Sequence, residues 1–423
     1  MKEFKKIKID LVAVPFSGHL YPLLELASPF LEDERYEVRV ITGVQKIELV
    51  ELKGFTVVPL FPNQPFIMEE IANTTKQISS LGMYKQLQQN MAIIPEAVQQ
   101  IKDALEENQT DIVVADFIAA PAGIACQELA IPWITTIPTP FAMETRNGTP
   151  TYLGGWKKKN QRLFKLRDAV GRKIVRFFTR FVYFLVRTKL KDFNFQLYNE
   201  KGEEQIYSPY SILGLGMEEL EWNVDFPEQF KWAGPCCASL ESEQFVFEDT
   251  GEFEKKILLT IGTHLLWGKD FLIELAQTLS ADYPNFHFIL SMGNSQERHK
   301  KPTKVKGNIT VYAYLPYTET IEKVDYVIHH GGAGILYNCI KFKKPALIIP
   351  HDYDQFDYAV RAEWAGIGIV AKKRKLNQIR KKFIDLIETA QWPELEKCQQ
   401  DFKQYHPSQL LESEIQRILL TTE

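Results

Sequence analysis

The run His329-His330-Gly331-Gly332-Ala333-Gly334 joins a short β-branched stretch to a helical pattern. Glycines at such a turn let backbone N–H groups come close to a ligand. A helix start adds unpaired donors and partial positive charge, which suits a diphosphate. Taken alone, the run is also compatible with a tight strand-to-helix connection. A second polar loop, Pro350-His351-Asp352-Tyr353-Asp354-Gln355, follows the next strand-like run about twenty residues on. Its carboxylate and amide groups can exchange hydrogen bonds with sugar hydroxyls, or Asp354 can cap the next helix. His329, His330, His351, Asp352 and Asp354 are metal-ligand types too. No pair has a metal-ligand spacing on one helix face, so no metal is expected.

Both loops need strand ends to hold them. The chain has 423 residues, 45% hydrophobic and 25% charged, with a net charge of −4. That length suits two or three domains, and the charge points to no nucleic-acid partner. Strand-like runs cover 7–14, 38–41, 55–60, 111–115 and 132–137, separated by helical patterns. Pro22 fits the first turn of the first helix, where a missing N–H is harmless. A second alternation starts near residue 256, with strands at 256–261, 286–290, 309–312, 326–329 and 345–349. Strand–helix alternation argues for parallel sheets covered by helices on both faces. We read residues 1–235 as one α/β domain and 236–254 as a linker. Residues 255–390 form the second domain and 391–423 terminal helices that cross back to the first. The apolar stretches 60–67 and 138–143 follow first-domain strands and can line a pocket, with Phe66, Phe141 and Met143 as candidates beside Phe16. No transmembrane run or leader pattern is present. Five cysteines without a metal or redox spacing fit a reducing cytoplasm.

Residues 157–191 break the pattern. They hold thirteen Lys or Arg against one acid, Asp168, interleaved with Phe177, Phe178, Phe181, Tyr183 and Phe184. This is the composition of a helix at an anionic membrane surface. It suits, first of all, a helical insertion, within about 157–200, that packs its aromatics on its own domain while the cations face water.

The motifs together resemble the UDP-glycosyltransferase family, closest to its bacterial macrolide- and carotenoid-type members. The resemblance is carried by Tyr314-Leu315-Pro316-Tyr317, the run 328–334, Lys344-Pro345, Asp354-Gln355, Gly18-His19-Leu20-Tyr21-Pro22, Trp232-Ala233-Gly234-Pro235 and Ile261-Gly262-Thr263. It implies the GT-B fold, two Rossmann-like domains whose parallel sheets face an interdomain cleft. It also implies inverting, metal-independent transfer of a sugar from a UDP- or dTDP-sugar to a hydroxyl of a small lipophilic or lipid acceptor, with no cofactor. His19 resembles the general base, and Asp116 the carboxylate that orients it. Thr263, His330, Gly331, Gly332, Ala333 and Gly334 resemble the diphosphate cradle. Tyr314 and Leu315 stand at the nucleobase, Asn338 at the ribose, and Asp354 and Gln355 at the sugar hydroxyls. Ile335 departs from the family's usual Thr or Ser, which removes one side-chain hydrogen bond to phosphate. Two other readings remain: a nucleotide-sugar hydrolase or epimerase of the same fold, and a silent nucleotide-sugar-binding protein. With the cysteine pattern pointing to the cytoplasm, the basic segment would place the enzyme on the inner face of the membrane.

Overall fold

The computed structural model describes residues 5–72, 80–188, 190–193, 195–237, 252–262, 268–294, 297, 300–352, 354–372 and 375–422. Most of the expected linker, together with Thr263, lies outside the described residues.

The first domain contains β1 (Ile7–Val12), α1 (Ser17–Ala27), β2 (Tyr36–Gly43), α2 (Ile47–Leu52), β3 (Thr56–Leu60), α3 (Ile67–Ala72), α4 (Ser80–Asn108), β4 (Ile112–Asp116), α5 (Ala120–Leu129), β5 (Trp133–Ile137), α6 (Arg162–Val186), β6 (Ser211–Gly214) and β7 (Phe230–Trp232). Its seven strands lie in the order β3-β2-β1-β4-β5-β6-β7, and every pair is parallel. The reversal of strand order beside β1 is where an open sheet of this kind binds its ligand, beyond the carboxyl ends of the strands.

The second domain contains β8 (Lys255–Thr260), α7 (Lys269–Asp282), β9 (Phe286–Ser291), β10 (Thr303–Lys306), β11 (Ile309–Tyr312), α8 (Tyr317–Ile321), β12 (Tyr326–His329), α9 (Ala333–Lys341), β13 (Ala346–Ile348), α10 (Gln355–Trp364), β14 (Gly368–Val370), α11 (Leu376–Glu388), α12 (Pro393–Phe402) and α13 (Pro407–Thr422). The order is β10-β11-β9-β8-β12-β13-β14, parallel except for β10 against β11. The short edge strands β7 and β10 lack the apolar runs that mark the others. Pro22 sits in the second turn of α1, because that helix starts five residues earlier than the proline suggests.

α13 returns to the first domain. Leu411, Ile415 and Ile418 pack in one buried cluster with Ile9, Leu11, Leu23 and Val40. Lys231 pairs with Glu414, and the Arg417 guanidinium donates to the Tyr210 carbonyl at 2.9 Å.

The domains also meet directly below the cleft. Arg361 of α10 makes a two-pronged ion pair with Glu221 of the first domain, at 2.9 and 3.0 Å. Both side chains are nearly sealed, 2% and 3% exposed. The guanidinium lies between the rings of Phe141 and Trp222, 4.3 Å from each centroid. Tyr358 stacks edge-on against Phe141 and donates its hydroxyl to the Pro138 carbonyl at 2.7 Å. Phe141 therefore belongs to the interdomain contact rather than to an open acceptor pocket, because the facing helix covers the ring.

Candidate functional site

His19 stands in the first turn of α1, just past β1, and Asp116 is the last residue of β4. β1 and β4 are neighbours in the sheet, so their carboxyl ends bring the two residues together across 97 residues of sequence. His19 Nδ1 lies 3.0 and 3.1 Å from the two Asp116 carboxylate oxygens. Asp116 is held in turn by the Ile118 N–H at 3.0 Å. With Nδ1–H donated to a carboxylate, Nε2 is the nitrogen left to take a proton. The Asp116 side chain is sealed, while that of His19 keeps 20% of its surface open. Phe117 flanks the imidazole, with ring centroids 5.7 Å apart.

Asp354 reaches this pair from the other domain, as the residue that precedes α10. Burial opposes an imidazolium at His19, but the charge and hydrogen bond of Asp116, with the charge of Asp354, raise its pKa overall. Burial pushes the Asp354 carboxyl up to about 6, held back by the His19 charge. Burial does the same to Asp357, also to about 6, against a 2.9 Å hydrogen bond from the Tyr152 N–H and the charge of Arg361. The cleft thus holds an imidazole between two carboxyl groups, one from each domain.

The glycine-rich turn lies at the end of β12. Gly331 has a φ of +93°, a conformation costly for any residue with a Cβ. A Cβ there would also stand 3.1 Å from the Gln355 carbonyl oxygen. The Gly331 N–H donates to His329 Nδ1 at 3.0 Å. Burial holds His329 down to about 3, so its neutral ring braces the turn from behind. The N–H groups that follow, at the start of α9, have no partner within the helix. Gly334 is exposed, and a Cβ there would meet open space. The His330 ring rests between Gly262 and Gly332, whose added Cβ atoms would stand 2.9 and 2.6 Å from it.

The remaining expected residues divide. Gln355 is committed to its own loop, its side-chain oxygen accepting from the His351 and Asp352 N–H groups at 3.0 and 3.1 Å. The Asn338 amide donates to the carbonyls of Cys237 and Gly334 at 2.7 and 2.8 Å, which ties α9 to the interdomain segment. Leu315 is buried and donates its N–H to Ser291 Oγ at 3.1 Å. Tyr314 is half-buried on the same loop. Ile335 faces the second-domain core. Met143 is buried in a small cluster that Phe117 borders, Phe16 is half-buried beside His19, and Phe66 is exposed. Asp357 and Arg361 were missed by the sequence reading. Their spacing from Asp354, three and seven residues, marks one helix face and is the signal that could have found them.

Two facing α/β domains, with a histidine–carboxylate pair on one and a glycine-rich helix start on the other, share the GT-B fold of known glycosyltransferases. Residues 257–408 match the glycosyltransferase family 28 C-terminal domain. The chain is similar to the NDP-glycosyltransferase YjiC of Bacillus subtilis (strain 168), 22% identical over 379 residues, covering 88% of this chain and 86% of that protein. The fold matches the glycotransferase of kitacinnamycin with a TM-score of 0.74 at 21% identity, over 97% of this chain and 100% of that one. It also matches the glycosyltransferase SsfS6 of Streptomyces sp. SF2575 complexed with thymidine diphosphate. There the TM-score is 0.62 at 16% identity, over 96% and 99% of the two chains.

Proposed function

We propose that this chain transfers a sugar, with inversion and without a metal, from a UDP- or dTDP-sugar to a hydroxyl of a lipophilic acceptor. The observation that carries the reading is His19, bonded to Asp116 and facing Asp354 across the cleft. His19 Nε2 takes the proton of the acceptor hydroxyl. The freed oxygen attacks the anomeric carbon from the face opposite the diphosphate, and the bond from that carbon to the phosphate oxygen breaks. The electron pair leaves with the diphosphate, where the free N–H groups of α9 and the His330 ring receive the charge. Asp116 stabilises the imidazolium that forms. The thymidine diphosphate complex of a structural neighbour supports a nucleotide diphosphate as the leaving group.

A thermal-shift panel of nucleotide sugars, followed by mass spectrometry of products from mixed lipophilic alcohols, tests the reading. A stabilised protein and a product heavier by one sugar are expected. No stabilisation by any UDP- or dTDP-sugar, or free sugar as the only product, would overturn it.

Two further outcomes follow from the site. Gly332→Val should abolish nucleotide-induced stabilisation, because its Cβ would stand 2.6 Å from His330 Nε2. A parent-like thermal shift with UDP in that variant would remove the cradle. The acid limb of kcat/KM should reflect a His19 pKa raised above the ordinary value of about 6.5. In Asp354→Asn one negative charge near the imidazolium is gone, so that pKa falls and the limb moves to lower pH. An unmoved limb in the pH profile would mean Asp354 does not act on the base.

A further inference from the structure

Helix α6 presents three different faces. At about 100° per residue, Asp168, Gly171, Val175 and Thr179 share the inner face. There a Cβ on Gly171 would stand 2.6 Å from both Pro150 and Trp156. Arg172 donates to the Gly148 carbonyl, and Arg176 to that of Gly202 at 3.0 Å. The inner face is thus fully engaged by residues 148–156 and 195–204.

The opposite face has no such cover. Leu163, Leu166, Val170, Ile174, Phe177 and Phe181 recur at three- and four-residue intervals and are all exposed, Phe177 by 72%. Phe177 and Phe181 stack on one another, 6.5 Å apart, instead of folding inward. The stripe runs most of a helix about 37 Å long at 1.5 Å per residue. An apolar patch of this extent on a soluble surface marks an interaction site. Along one edge of the stripe stand Arg162, Lys173, Arg180 and Arg187, all exposed. That leaves an apolar face bordered by cations, inside a segment with thirteen basic residues and one acid. A protein partner would need a matching apolar groove with an acidic rim. An anionic lipid leaflet supplies both chemistries at once, acyl chains below and phosphates at headgroup level.

We propose that α6 anchors the protein to an anionic phospholipid bilayer, lying in the interface with its aromatic stripe inserted and its cationic edge on the headgroup phosphates. The helix lies along the surface and does not cross, since no described helix is long and apolar enough to span a bilayer. The slab under α6 runs through Tyr152, whose N–H is bonded to Asp357, three residues beyond Asp354. Docking would therefore set the His19–Asp354 end of the cleft near the lipid surface, where an acceptor of low water solubility collects. The docking itself is independent of the proposed sugar transfer.

The test is sedimentation of the full chain with vesicles of phosphatidylcholine, with or without phosphatidylglycerol. Partition onto the anionic vesicles should be up to about a thousandfold stronger, given four cations at the edge, and salt should weaken it. Phe177→Ser with Phe181→Ser should lose binding to both vesicle types. Lys173→Glu with Arg180→Glu should lose the anionic preference. All four positions are exposed, so both variants should keep the parent's melting temperature. Equal partition onto neutral and anionic vesicles, or parent-like binding by either variant, would overturn the proposal. So would a parent that ignores vesicles and is a dimer by light scattering, with the Phe177 variant a monomer, since a second copy would then cover the stripe.

Discussion

His19→Ala is expected to lower kcat by about 10²–10⁴-fold, the range that a positioned general base supplies. Nucleotide binding should persist, because the turn at Gly331–Gly334 belongs to the other domain and receives no support from the imidazole. Asp116→Asn should fall in the same direction by a smaller factor. An amide can hold Nδ1 only by changing the ring's tautomer or its own orientation, and it cannot balance an imidazolium. Single-turnover measurement with saturating donor separates the chemical step from binding. Undiminished transfer in His19→Ala would end the assignment of the base, whatever the acceptor proves to be.

Arg361→Met should destabilise the protein by about 3–5 kcal/mol, the cost of leaving a buried charge without its partner. Glu221 would keep the N–H groups of Trp222 and Asn223, at 2.8 Å each, but lose both prongs of the guanidinium. The gap between Phe141 and Trp222 would also lose its flat filler. Adding Glu221→Gln should recover part of the loss, because the buried charge goes while the amide oxygen still accepts from those N–H groups. Urea unfolding of the single and double variants measures both. A single variant within about 1 kcal/mol of the parent, the level of a surface pair, would show that the contact opens in solution.

The sequence made the two α/β units legible because their central strands are buried on both sides and read as unbroken apolar runs. Edge strands such as β7 and β10 carry no such run; β7 forms by pairing with β6, and β10 by a tight hairpin onto β11. His19 and Asp116 could each be placed at a strand end. That they touch depends on β1 and β4 being neighbours, a fact of topology that only the family resemblance anticipated. Phe141 shows the limit most clearly. An apolar residue after a strand is compatible with a ligand pocket or with a buried contact, and the choice lies in residues more than 200 positions away, Tyr358 and Arg361. Asn338 is similar, an amide whose partners are carbonyls invisible to sequence. The basic segment left two arrangements open. In the folded helix Gly171 turns inward, while Phe177, Phe178, Phe181 and Phe184 are exposed.

The return of α13 has a consequence for synthesis. Leu411, Ile415 and Ile418 complete the cluster around β1, yet the ribosome makes them after the whole second domain. While the chain is emerging, the first domain carries an uncovered apolar face that only its last-made helix can close. The second domain, continuous in sequence apart from that helix, can close its own core earlier. Nascent chains stalled before residue 407 should therefore hold a folded second domain and an unfinished first domain, a state in which the half made earlier is closed later.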